Sequence, residues 1–468
     1  MIKYDDSSEK SIVTYAKKLI GKSLQEILDL SSTTRTINLK NKGLAGLIIE
    51  KEWFGIEQNS SQLPDFDKVG IELKIIPLKK TKNGIVVKER TKICSMNYMT
   101  LHDEKWEESH TKEKLNKILF VYYFPDSSDI LKSKILKIDL WKLSEEAGEL
   151  FLKDDWHFIQ NKVITGYAHE LSGRDTDSLE ASPAGTKKQV PQFNTIYADT
   201  AQKRAFSLKQ PFTNQRWKEI NQVKFESIIE TLNITSLDSF EQAILEKINL
   251  LQGKSILELS EVFDVKIGQS KSRVAAVMKK IIGFKSVRSK IKEFEQLGIE
   301  IKMINVRKKD CRPMEAISFP AMKLEEFVLE EWEESTFLPM ISKILFIPIY
   351  KAYKDIKDLD KLYLGKAFFW TPSNSEFDII KQEWLNYQRE VNNGKCRVTK
   401  IANKTKRGYK EVSELSKESA TQIIHIRPHG RNSNDRDKDG LGNSIIKQSF
   451  WLNTKFIQQL IIKNLLKR

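Results

Sequence analysis

Apolar positions along this chain keep two rhythms, helical and alternating, and the same succession of them runs through twice. Residues 12–28 place apolar side chains at helical spacing and predict an amphipathic helix. A second helix is predicted over residues 44–54, opened by glycines. Residues 72–78 and 86–95 are apolar and β-branched, and Asn83-Gly84 between them is a strong hairpin signal. Residues 115–124 read as a buried strand and 146–167 as largely helical. The polar stretches 172–192 and 430–443 read as loops, long enough to be functional or mobile.

The second half is a diverged copy of the first. Gly21-Lys22-Ser23-Leu24 with Glu26 matches Gly253-Lys254-Ser255-Ile256 with Glu258. Gly70-Ile71-Glu72-Leu73-Lys74 matches Gly298-Ile299-Glu300-Ile301-Lys302, and Trp106-Glu107-Glu108-Ser109 matches Trp332-Glu333-Glu334-Ser335. Lys117-Ile118-Leu119-Phe120 matches Lys343-Ile344-Leu345-Phe346. Trp156, Gln160 and Gly166 match Trp384, Gln388 and Gly394, and Phe206, Leu208 and Phe212 match Phe450, Leu452 and Phe456. A period this long means two domains and not a solenoid. The expected division is residues 1–215, a linker over 216–232, and 233–468.

Composition narrows the classes. With 468 residues and 40% hydrophobic content, the chain can bury more than one core. Its 78 Lys and Arg against 63 Asp and Glu leave a net charge of +15, which points to a polyanion such as nucleic acid. The start is acidic and polar, with no signal-peptide pattern, and no apolar run approaches the roughly 20 residues of a membrane span. Cys94, Cys311 and Cys396 are far apart and odd in number, which fits a reducing cytoplasm and neither a disulfide framework nor a zinc site.

The chemistry concentrates around Pro64-Asp65 and Glu72-Leu73-Lys74. On a strand, residues two apart share a side, so Glu72 and Lys74 project together while Leu73 faces the core. Asp65 approaches the same point from the preceding segment. Two carboxylates suit Mg²⁺, and a lysine beside them can orient a water or offset charge on a phosphate. Taken alone, an acid-x-lysine pair on a strand is more often a solvated face.

Larger motifs change that weighting. Gly43-x-x-Gly46-x-x-x-Glu50, Asp65-(six residues)-Glu72-x-Lys74 and Trp106-Glu107-x-Ser109-His110-x-x-x-Lys114-Leu115 stand in order, followed by Arg204-x-Phe206-x-Leu208-Lys209 and Ile426-Arg427-Pro428. In these the first half resembles MutH, the mismatch-repair nicking endonuclease, and the whole chain resembles the tandem-MutH restriction endonucleases that cut at GATC. The resemblance implies an α/β (mixed α+β) fold: two tandem copies of a restriction-endonuclease fold, each a mixed central sheet flanked by helices. It implies Asp65 and Glu72 as Mg²⁺ ligands with the Leu73 carbonyl, Glu50 completing the acidic cluster, Lys74 as the motif lysine, and Lys114 near the scissile phosphate. One extra residue separates Glu50 from Trp53-Phe54-Gly55 relative to the family, so Glu52 is a rival; the spacing from Gly46 favours Glu50.

The second copy keeps Glu300 and Lys302, with Glu293 where Asp65 stands in the first. The positions of Glu50, Lys114 and His110 hold Met278, Met340 and Thr336. Methionine is too soft and apolar to hold Mg²⁺. The second copy is therefore expected to bind DNA without cutting it. By resemblance, base-reading elements fall near Lys42, Glu89, Ser182-Pro183, Ser207 and Lys209 in the first copy, and near Arg427-Pro428-His429 and Trp451 in the second. Arg427 is equally readable as a phosphate clamp and Trp451 as core.

The expected function is a Mg²⁺-dependent type II restriction endonuclease acting on double-stranded DNA at GATC, leaving 5′ phosphates. A DNA-induced homodimer, a cognate methyltransferase sharing the site and a prokaryotic cytoplasm go with it. The alternatives are a nicking enzyme of mismatch repair and a non-catalytic regulatory DNA-binding protein.

Overall fold

The computed structural model describes residues 4–31, 43–57, 62–81, 84–146, 148–185, 188–266, 273–286, 289–354, 358–402, 409–439 and 442–466. Lys42 and Asn83 lie outside the described residues. The chain divides into two compact units, Met1–Phe240 with Lys290–Leu297, and Glu241–Ser289 with Gly298–Arg468. The stretch 216–232 belongs to the first unit. It holds the end of helix Gln210–Ile220 and helix Ile229–Leu232, and Trp217 is buried there, its indole N–H donating to the Ile85 carbonyl at 2.8 Å.

The first unit is built on strand Glu72–Thr81, which runs parallel to Lys117–Phe124 with Glu72 opposite Ile118 and Lys74 opposite Phe120. Gly84–Val87 and Lys134–Lys142 complete this sheet on its two edges. Both faces are covered. Leu73, Leu119 and Val121 pack with Ile12, Ile48 and Phe54, while Ile76, Phe120 and Tyr122 pack with Trp141 and Trp156. A parallel pair buried on both sides explains why 117–124 is apolar at almost every position. Glu72 and Lys74 lie on the same side of their strand as Ile76, at the end where the core stops.

Beside this sheet lies a small antiparallel one, Thr91–Ser95, Arg204–Leu208 and Leu179–Pro183 in that order. The second unit repeats both. Ile299–Arg307 runs parallel to Lys343–Lys351, with Glu300 opposite Ile344 and Lys302 opposite Phe346. Ile317–Ser318, Gln448–Leu452 and Ile424–Pro428 form the matching small sheet. Smaller details recur as well. Gly21 and Gly253 both adopt φ +86°, and each donates its N–H at 2.8 Å, to Ile135 and Leu364 respectively. Gln160 donates to the Leu101 and Glu104 carbonyls at 2.8 and 2.6 Å; Gln388 donates to Phe327 and Glu330 at 3.0 and 2.8 Å.

Four sequence expectations need correcting. The helix over 12–28 is two helices, Glu9–Lys17 and Leu24–Ser31, because Gly21 takes the left-handed turn just noted. The run 86–95 is divided at a bend at Glu89 into Gly84–Val87 and Thr91–Ser95, which join different sheets. The stretch 172–192 contains strands Leu179–Pro183 and Gln189–Pro191, and 430–443 contains strand Arg436–Lys438. These strands are short and polar, and the first takes its pairing from Arg204–Leu208, so no local periodicity marks it. No described helix is long and apolar enough to cross a membrane.

Candidate active site

Glu72 is 2% exposed, and each of its oxygens meets an ammonium group. Lys74 Nζ lies 2.6 Å from Oε1 and Lys114 Nζ lies 3.0 Å from Oε2. Strand parity places Lys74; helix His110–Asn116, capped by the Ser109 hydroxyl accepting from Lys112 N, places Lys114. Asp65 Oδ2 accepts from the Leu73 N–H at 2.9 Å, which fixes the carboxylate against the start of the same strand. Burial of the Asp65 carboxylate, although the residue keeps a solvent-facing side, and then the negative charge of Glu72, push its pKa above the usual aspartate value. Lys74, the Leu73 N–H and Lys114 oppose that shift, so all five groups act on one small volume.

Among the described residues no set of three or more His, Cys, Asp or Glu side chains is close enough to share one ion. Asp65 and Glu72 act on one another as a pair, and the Glu50 Oε1 lies beside Gly46. The segment around Glu50 explains the extra residue. Ile48–Phe54 is a π-helix, a form that takes up an inserted residue without ending the helix, and Ile56 N–H donates to the Glu50 carbonyl at 2.9 Å. Asp65, Glu72 and the Leu73 carbonyl are hard oxygen donors of the kind a Mg²⁺ ion accepts. Glu72 already draws two cations, Lys74 and Lys114.

The second copy has no such arrangement. Glu300 is exposed, 3.6 Å from Lys302, whose ammonium lies 5.1 Å from the centre of the Phe319 ring. Met278, at the Glu50 position, is buried in the core. Glu293, at the Asp65 position, belongs to the first unit, where it accepts hydrogen bonds from the Ser227 hydroxyl and, at 3.3 Å, from the Ile228 N–H.

The base-reading candidates divide. Ser182 and Ser207 are buried and bonded to each other at 2.6 Å, so neither hydroxyl faces outward in this conformation. Lys209 Nζ donates to the Thr176 carbonyl, and Glu89 is exposed at its bend. In the second unit Arg427, His429 and Trp451 come together. The exposed Arg427 guanidinium stacks 4.6 Å from the Trp451 ring centre, and the His429 ring lies 5.1 Å from it.

Asp155 and Glu383 went unnoticed in the sequence, although each stands directly before a tryptophan of the matched pair. Asp155 is buried and accepts from the N–H groups of Asp177, Ser178 and Leu179 at 3.2, 2.6 and 2.8 Å. Glu383 accepts in the same way from Gln422, Ile423 and Ile424. Each carboxylate pins the beginning of the strand that carries Ser182 or Arg427. Asp155→Ala would leave three N–H groups without a buried acceptor and is expected to cost about 2–4 kcal/mol in denaturant unfolding. A change under about 0.5 kcal/mol would show that water replaces the carboxylate.

Against known proteins, one family model, described as the DNA mismatch repair enzyme MutH, matches residues 54–155 and again 283–383. The chain thus carries the MutH-type nuclease domain twice, in agreement with its repeated sheets. The type II restriction enzyme Sau3AI of Staphylococcus aureus is 27% identical over 97% of this chain and 98% of its own length. MutH proteins of Vibrio cholerae and Klebsiella pneumoniae are 28% and 26% identical, over 38% and 44% of this chain and 79% and 89% of theirs. The chain is a type II site-specific deoxyribonuclease, and each of its copies is similar to MutH.

Proposed function

We propose that this enzyme is a Mg²⁺-dependent restriction endonuclease that cuts GATC with the first copy alone and binds a further DNA site with the second. The contrast between Glu72, buried between Lys74 and Lys114, and Glu300, exposed and among the described residues paired with Lys302 alone, carries this reading. Asp65, Glu72 and the Leu73 carbonyl would hold the ion, with Glu50 swinging in from the π-helix. Bound there, Mg²⁺ would supply charge neutralisation and a water of lowered pKa. Lys74 and Lys114 face the same carboxylate from two elements, so both ammonium groups lie where a scissile phosphate gains negative charge. Cleavage leaves 5′ phosphates. In the second copy, Arg427 with Trp451 and His429 forms the base-reading face; an arginine held over an indole presents its fork to a guanine edge.

One cutting centre per chain requires two chains, or two successive nicks, for a double-strand break. We place two chains on DNA, with the second domain regulating the first, in a prokaryotic cytoplasm beside a methyltransferase that modifies the same sequence. Supercoiled, unmethylated plasmid incubated with Mg²⁺ should become linear fragments whose sequenced ends all fall at GATC. Persistent open circles would favour a nicking repair enzyme, and intact plasmid a DNA-binding protein without catalysis.

A further inference from the structure

The two copies exchange an arginine on their small sheets. In the first, Leu208 stands opposite Thr91 on one flank and Leu179 on the other; in the second, the matched Leu452 stands opposite Ile317 and Ile424. This register sets Ser182 against Arg427, Glu180 against His425 and Ser207 against Trp451. It also sets Arg90, one residue before Thr91, against Ala316. The copy with a serine on the strand thus has an arginine beside it, and the copy with an arginine on the strand has an alanine there.

Strand alternation sends Leu179, Ala181, Phe206 and Leu208 into the core, and Glu180, Ser182 and Ser207 to the other side. Arg90 comes to that side as well. Its Nη1 lies 2.8 Å from Glu180 Oε1, and its side chain is 29% exposed where that of Glu180 is 7%. A Cβ on Gly173 would stand 2.8 Å from Glu180 Oε2 and 3.4 Å from Arg90 Nη1, so bare backbone closes over the pair. Glu180 stands opposite Ser207, whose hydroxyl meets that of Ser182 at 2.6 Å. The guanidinium is therefore held beside the patch whose counterpart in the second copy stacks Arg427 on Trp451. The sheet itself does not need this ion pair: the second copy builds the same sheet with Ala316 and with His425, whose Nδ1 lies 2.6 Å from Asn453 Oδ1.

We infer that Arg90 reads the guanine edge of the recognised site in the first copy, the role proposed for Arg427 in the second, and that Glu180 is the positioning residue that fixes its guanidinium. The inference rests on the GATC reading proposed above and adds the residue that tells the outer base pairs apart. Guanine presents O6 and N7 side by side in the major groove, and two parallel donors of an arginine match them. Lysine keeps the charge without the planar fork, so exchanging the two separates base reading from attraction to phosphate.

The test uses the full chain with Mg²⁺ and single-turnover cleavage of duplexes carrying GATC, GATC with both outer G·C pairs made A·T, or GATC with its inner pairs exchanged. The rate on GATC divided by the rate on each altered duplex measures discrimination. Arg90→Lys should lower the outer-pair ratio about tenfold to hundredfold and leave the inner-pair ratio within about twofold. Glu180→Gln should lower the same outer-pair ratio and add nothing when combined with Arg90→Lys, which a general weakening of the sheet would not reproduce. Thermal melting of each variant reports folding. A folded Arg90→Lys with both ratios unchanged overturns the inference, even where all rates fall together, since that marks a phosphate contact. An equal fall in both ratios overturns it too. If the unaltered chain cuts none of these duplexes, the nuclease reading itself fails and takes the role of Arg90 with it.

Discussion

Asp65→Ala is expected to slow DNA cleavage by about a thousandfold or more while leaving sequence-specific binding in place. The carboxylate lies against the first residues of strand Glu72–Thr81 and shares its surroundings with Glu72, Lys74 and Lys114. Its removal takes away one of two close oxygen donors without disturbing the core. Glu300→Ala in the second unit should leave the rate unchanged, because Glu300 is exposed and, among the described residues, pairs with no lysine besides Lys302. Single-turnover cleavage of one GATC duplex measures both. Substantial residual activity in Asp65→Ala, lost on adding Glu300→Ala, would make the second copy a working centre.

The same carboxylate gives a pH signature. Burial and the Glu72 charge raise the pKa of Asp65 in the folded chain, so the ionised group costs stability. That cost is absent below the unfolded aspartate value of about 4 and complete once pH has risen past the raised one. Asp65→Asn should therefore melt at a higher temperature than the unaltered chain at neutral pH in EDTA. The difference should close on acidification. Equal melting temperatures across the range would mean that Lys74 and Lys114 fully compensate the charge.

Lys114→Met is the second large effect. Methionine already stands at the matching place in the second copy, as Met340, so the side chain suits this fold. The rate should fall about a hundredfold to a thousandfold, with the loss in kcat and little change in KM, because an ammonium group opposite the reacting phosphate acts mainly in the transition state. Glu72, 2% exposed, would keep only Lys74, and unfolding stability should drop by about 1–3 kcal/mol. If kcat survives and only stability falls, Lys114 is a structural partner of Glu72 and not part of the chemistry.

Much of the site was legible because it depends on strand parity. Glu72, Leu73 and Lys74 had to alternate sides, and they do. Lys114 was legible only through its motif, since nothing in a seven-residue helix says where its ammonium group will go. The helix around Glu50 was expected, but its π form was not, because an inserted residue carries no sign of how the backbone absorbs it. Strand Leu179–Pro183 was hidden because its hydrogen bonds come from a partner further along the chain and from Asp155.

The sequence by itself determined the duplication, the shared side of Glu72 and Lys74, and the substitutions at Met278 and Met340. All of these follow from residue order and local backbone geometry. Only the tertiary structure decided that Lys114 and Lys74 take opposite oxygens of Glu72, and that Glu293 is spent on Ser227 and Ile228. Such meetings join groups separated by long stretches of chain. Packing of whole elements sets them, and no periodicity in the residues records it.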